Sequence, residues 1–188
     1  MRRGRPTVHK VYDEGTAVLI GDALLTEAFR TLAQCGLNAE ARVALVSELA
    51  SAAGHVGMIG GQALDIGMNG PITDLDELIR LHRGKTGALI RGALRMGAIA
   101  MAASSSQIEA LTTYGEAIGL AFQMADDVLD AEQDAGASGP PSSVRLVGVK
   151  QTSERASRLL EEALLALASL PHSEALAALA RFTVARDH

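Results

Sequence analysis

The 188-residue chain has no tryptophan, two tyrosines and three phenylalanines, and aromatics make up only 3% of it. So few aromatic side chains argue against a β sandwich, whose pleated faces draw on them. A single cysteine, Cys35, rules out an intramolecular disulfide, and its apolar neighbours suit a small buried side chain better than a nucleophile. A reducing compartment is expected. An excess of positive charge is also missing: 17 Lys and Arg face 22 Asp and Glu, for a formal charge of −5, and the basic residues are scattered. That gives no footprint for DNA or RNA, so nucleic acid is not an expected partner. No unbroken run of 18 apolar residues occurs, and MRRGRPTVHK has no apolar segment behind its charges. Neither a membrane span nor a signal peptide is supported, and a cytoplasmic protein is expected.

What is abundant is Ala, Leu and Gly within a 48% hydrophobic content, enough for one domain over 1–188 with a real core. Small side chains and strong helix formers imply an all-α bundle. Helical periodicity begins near Val8 and runs through GTAVLIGDALLTEAFRTLAQ until Cys35, Gly36, Leu37 and Asn38 break it. A second helix is expected from Ala39 to Met68, closing on Asn69, Gly70 and Pro71. Thr73 is the expected N-cap of a short helix reaching His82 or Arg83. Gly84 then punctuates the chain before KTGALIRGALRMGAIAMAA, and a further helix is expected over 108–133. DAGASGPPSS, residues 134–143, reads as a loop because Pro140 and Pro141 cannot sit inside a helix. Two amphipathic helices, roughly 151–169 and 172–186, close the chain.

The chemistry concentrates in AFQMADDVLDAEQD. Asp126 and Asp130, at i and i+4, share a helix face with Cβ atoms roughly 5–6 Å apart, and Asp127 is turned about 100° from them. Like charges on one face repel, and a cation between them would offset that. Oxygen ligands without nearby Cys or His select a hard ion, and few protein ligands leave positions for water or phosphate, which suits Mg²⁺. A solvated acidic face is the alternative. Gln62 and Asp65 form a polar i, i+3 pair in an otherwise apolar helix, to be read as a buried satisfied pair or as part of a site. Lys85 and Thr86 in RGKTG could contact a phosphate oxygen or simply lie in an exposed loop. Arg2 and Arg3 in RRGRP could bind phosphate in bidentate fashion or form a solvated tail.

Taken in order, RRGRPTVH, GDALL, GQALD, KTG and FQMADDVLD resemble the isoprenyl diphosphate synthases, the trans-prenyltransferases that include farnesyl and geranylgeranyl diphosphate synthases. The resemblance covers residues 2 to 130; residues 144 to 188 match only as helical packing. It implies an all-α isoprenoid-synthase bundle, usually a homodimer, that condenses isopentenyl diphosphate with an allylic diphosphate using Mg²⁺. By the same resemblance Asp126 is the main metal ligand, supported by Asp127 and Asp130. Arg2 and Arg3 bind the allylic and isopentenyl diphosphates respectively. Lys85, Thr86 and Gln123 contact the allylic diphosphate, with Lys85 and Asp126 in catalytic roles. Gln62 and Asp65 form the deeper polar pair, with Asp65 counted among the metal-binding carboxylates, and Phe122 lines the wall beside the reacting carbons.

Two departures qualify that picture. The family's first aspartate-rich motif belongs just upstream of RRG, and the chain opens at Met1, so an N-terminally truncated, C-terminal part of the fold is expected. The loop after DDVLD carries Gly139, Pro140, Pro141 and Val144 where the family pattern has a lysine and an aspartate. Charge on one side only would bind a diphosphate weakly and draw it off poorly, so slow turnover is expected. The competing reading is a catalytically impaired homologue that pairs with an active synthase as a non-catalytic subunit.

Overall fold

The computed structural model describes residues 1, 4–133 and 140–185. These are helical, with no β-strand among the described residues, as composition implies. The chain divides into two compact units, Met1–Val46 and Ser47–His188.

The first unit holds α1 (Val8–Val11), α2 (Glu14–Gln34) and the start of α3 (Ala39–Ala53). The single helix expected from Val8 is interrupted at Asp13, whose backbone is extended and whose carboxylate accepts 2.7 Å bonds from the Thr16 amide and hydroxyl. An acidic N-cap satisfies donors that have no partner inside the helix, so a new helix starts there. Asn38 does the same for α3 by accepting from the Ala41 amide at 2.8 Å. Arg42 of α3 donates to the Ala33 carbonyl near the end of α2. Cys35, between them, is free and half-buried rather than fully enclosed.

The second unit begins within α3 and continues with α4 (Met58–Asp65) and α5 (Leu75–His82), followed by a π-turn, Arg83–Gly87. Then come α6 (Ala88–Ala100), α7 (Ser105–Gln133), α8 (Ser143–Val147), α9 (Val149–Leu167) and α10 (Glu174–Ala185). α7 is its spine. Tyr114, Ala117, Ile118 and Ala121 of α7 pack with Ala163 and Leu167 of α9 and Ala180 of α10, with Ile90 and Leu94 of α6 against the same cluster. One turn on, Leu120 and Met124 pack with Ala156 of α9. Alanines at these contacts let helix axes approach closely, and the Tyr114 hydroxyl donates to the Leu176 carbonyl at 2.8 Å.

Other boundaries also differ from the sequence expectation. The helix expected from Ala39 to Met68 breaks at residues 54–57 into α3 and α4 and ends at Asp65. The stretch Ala39–Asp65 is long and apolar enough, by composition, to cross a membrane, a property that a search for unbroken apolar runs misses. The N-cap of α5 is Asp74, not Thr73, since the Asp74 carboxylate accepts from the Glu77 amide at 2.8 Å. Gly84 does not end a helix: α5 passes through the π-turn into α6 with helical backbone on both sides. Of the loop expected at 134–143, residues 134–139 lie outside the described residues, and Ser142 already caps α8.

Candidate functional site

The π-turn sets the geometry. Five residues wind wide there, between His82 (φ −61°, ψ −43°) and Ala88 (φ −60°, ψ −43°), in a form found often at functional sites. The widened turn fits only because its neighbours lack side chains at the contact. A Cβ on Gly61 of α4 would lie 2.0 Å from the Lys85 nitrogen, and one on Gly119 of α7 would lie 2.9 Å from the Gly87 Cα. The turn is therefore clasped between α4 and α7, with Lys85 toward one and Thr86 toward the other.

Lys85 Nζ donates to Asp65 Oδ2 at 2.6 Å, and Gln62 Nε2 donates to the same oxygen at 3.4 Å. Of the two readings of Gln62 and Asp65, the enclosed pair fails: Gln62 is exposed, and the Lys85 and Asp65 side chains are 36% and 29% exposed. Such a half-solvated pair contributes only about 0–1 kcal/mol, so it orients the ammonium without sequestering it. On the other flank Thr86 Oγ1 donates to Gln123 Oε1 at 3.2 Å. Phe122, half-buried, precedes Gln123 on α7.

Further along α7, Asp126 is half-buried and Asp130 is exposed on the same face. Asp127, on a different face, has a side chain only 14% exposed, and its Oδ2 accepts from the Ser143 amide at 2.7 Å and the Ser143 hydroxyl at 2.6 Å. His82 Nε2 stands 3.6 Å from the same oxygen. Burial pushes the Asp127 carboxyl up, but His82 and the two Ser143 donors outweigh it and hold the group below the usual carboxylate range. Asp127, Asp130, Pro140, Pro141, Ser142 and Arg145 line a cleft of about 210 Å³.

The structure thus brings Gln62, Asp65 and Lys85 together, joins Thr86 to Gln123, and sets Asp126, Asp127 and Asp130 on one helix. Arg2, Arg3 and Gly139 lie outside the described residues. Among the described residues no three His, Cys, Asp or Glu side chains gather as a ready metal cage. The donor set fits a hard ion that keeps most of its shell in water or phosphate oxygens, with Asp126 and Asp130 as a two-carboxylate edge. Asp65 is engaged by Lys85, and Asp127 by Ser143.

Sequence reasoning missed His82, Ser143 and Arg145. The signal for His82 was present, since Leu78, Leu81 and His82 fall on one buried face of α5 and a histidine there is out of character. Nothing local marks Ser143 as the partner of a carboxylate 16 residues earlier.

The family model described as Polyprenyl synthetase matches residues 1–144. Farnesyl diphosphate synthase of Escherichia coli (strain K12) is 40% identical over 208 residues, covering 100% of this chain and 69% of that protein. An apo FPP/GFPP synthase from Zymomonas mobilis superposes with a TM-score of 0.88 at 39% identity, covering 98% of this chain and 66% of that one. A Helicobacter pylori geranyltransferase, complexed with magnesium and isoprenyl diphosphate, gives a TM-score of 0.78 at 36% identity, covering 96% and 62%. The chain spans between 58% and 69% of the length of the first curated relatives it matches.

Proposed function

Because the chain belongs to the polyprenyl synthetase family, we propose that it acts on isoprenyl diphosphates as a trans-prenyltransferase of the farnesyl or geranylgeranyl type. In this reading residues 1–188 form a single isoprenoid-synthase-like domain, cytoplasmic, that assembles with a second copy or a related synthase. The observation that carries it is the clasped π-turn. It presents Lys85 and Thr86 from one segment, beside Gln62 and Asp65 from a second and Gln123 from a third. An ammonium and a hydroxyl on adjacent residues of the turn, the hydroxyl bonded to a carboxamide on α7, suit the oxygens of a diphosphate.

The condensation breaks the C1–O bond of an allylic diphosphate, and the diphosphate departs with the electron pair. The double bond of isopentenyl diphosphate attacks the allylic carbon, and loss of a proton restores neutrality in a chain five carbons longer. Lys85 binds the departing oxygens through its Nζ, and Thr86 and Gln123 orient them. Phe122 contributes an apolar wall that keeps water from the reacting carbon. Asp126 and Asp130 would hold Mg²⁺, with Asp127 and Asp65 as supporting carboxylates; the ion supplies positive charge for the leaving group. Arg2 and Arg3 complete the proposed substrate contacts from the N-terminus.

The test is a melting and product assay. With Mg²⁺, inorganic diphosphate is expected to raise the melting temperature, and Asp126→Ala to abolish the rise. With labelled isopentenyl diphosphate and an allylic primer, longer prenyl diphosphates are expected at a slow rate that Lys85→Ala lowers further. Absence of any Mg²⁺-dependent effect of diphosphate would overturn the reading.

A further inference from the structure

His82 is the last residue of α5 and is 6% exposed, packed beside Leu78 and Leu81. Neither of its ring nitrogens reaches a partner at hydrogen-bond length, and its interaction with Asp127 is the longer contact at 3.6 Å. An imidazole carries at least one N–H in any state, and interiors seldom leave such a donor unpaired. A leucine or phenylalanine would fill the same space without that cost. The ring is nevertheless aimed: Nε2 lies 3.6 Å from Asp127 Oδ2, about 0.4 Å beyond the usual 3.2 Å limit of a hydrogen bond.

The surrounding chain gives that near contact a purpose. His82 immediately precedes the π-turn bearing Lys85 and Thr86. Asp127 follows Asp126 directly and lies one turn before Asp130. Ser143, which donates twice to Asp127, is the first residue of α8 and follows the 134–142 segment. One polar node therefore joins three segments: the π-turn, the aspartate helix and the start of α8. Asp127 is already fixed by α8, so the ring is the part left to engage.

We infer that His82 is a positioning residue: its Nε2–H closes onto Asp127 when a diphosphate draws the π-turn and the aspartate helix together, holding Lys85 and Thr86 in register with Asp126 and Asp130. This rests on the diphosphate reading above. It assigns a function to a buried histidine that touches no substrate, and it makes binding at Lys85 dependent on a contact behind the turn.

The experiment measures Mg²⁺-dependent binding of inorganic diphosphate by calorimetry for the unsubstituted protein, His82→Leu and His82→Gln, with circular-dichroism melting as the fold control. His82→Leu is expected to bind at least tenfold more weakly. His82→Gln, whose amide can still donate to Asp127, is expected to recover most of the loss. In ¹H–¹⁵N spectra of the imidazoles, the signal missing from His82→Gln is expected to move downfield when Mg²⁺ and diphosphate are added. Unchanged binding in His82→Leu, a glutamine variant no better than leucine, or a stationary signal would each overturn this inference and leave the proposed function standing. Failure of the unsubstituted protein to bind would overturn both. Should the leucine variant not fold, the glutamine variant and the spectrum decide.

Discussion

Gly61→Ala is the sharpest probe of how the site is built. The added methyl would sit 2.0 Å from the Lys85 nitrogen, 2.6 Å from the Gly84 carbonyl carbon and 2.7 Å from the Lys85 Cα. All three are backbone atoms, so no side chain can rotate away. Relief to an ordinary contact of 3.4 Å requires α4 and the π-turn to separate by 1.4 Å, the difference between 3.4 and 2.0. Overpacking costs about 1–3 kcal/mol, and a backbone collision belongs at the upper end. Replacing a helical glycine by alanine returns roughly 1 kcal/mol. A net loss of about 2 kcal/mol is expected, or about 4–8 °C in melting temperature for a chain of this size. Gly97→Ala is the control, because a Cβ there meets nothing within 4 Å. It keeps only the helix gain and is expected to melt about 2–4 °C higher. A shift of more than 1 Å would also part Lys85 from Asp65, now at 2.6 Å, and misalign the ammonium. Diphosphate binding should then fall by more than the stability loss explains, since displacements near 1 Å can cost about a hundredfold in function. The reasoning is wrong if Gly61→Ala melts as high as Gly97→Ala or binds diphosphate like the unsubstituted protein.

Two further outcomes test other joints of the structure. Tyr114→Phe removes the 2.8 Å bond to the Leu176 carbonyl that ties α7 to α10 and is expected to cost about 1 kcal/mol in urea unfolding; an unchanged midpoint would show the bond to be replaceable. The Thr16 amide, bonded to Asp13, should report by NMR an ionisation below the ordinary aspartate value, about 3.9, because its hydrogen bonds favour the carboxylate. A lowered folded-state pKa means that the cap is intact above the ordinary value and lost as pH falls through the folded one, so a midpoint at or above the ordinary value would contradict the cap.

Much was legible in the residues because it depends on local pattern. Helix periodicity, small side chains and scarce aromatics implied an all-α chain, and ordered motifs from GQALD to FQMADDVLD carried the family resemblance. Spacing along one helix was enough to set Asp126 and Asp130 on a common face. The breaks were less legible, since caps compete: Asp74 and Thr73 are adjacent candidates, and only the bond to Glu77 decides between them.

What the tertiary structure alone decided is which segments meet. Gly61 and Gly84 are ordinary glycines in the sequence, and their meaning lies in a backbone-to-backbone contact between residues 23 positions apart. Lys85 faces Asp65, Thr86 faces Gln123, and Ser143 holds Asp127 because packing brings distant elements within 2.6–3.2 Å, and no periodicity encodes that. The sequence by itself determined that the chain is helical and which residue types the site offers, since both follow from neighbours along the chain. The partners of each side chain were set by close packing in three dimensions, where one missing methyl group decides whether two backbones can touch.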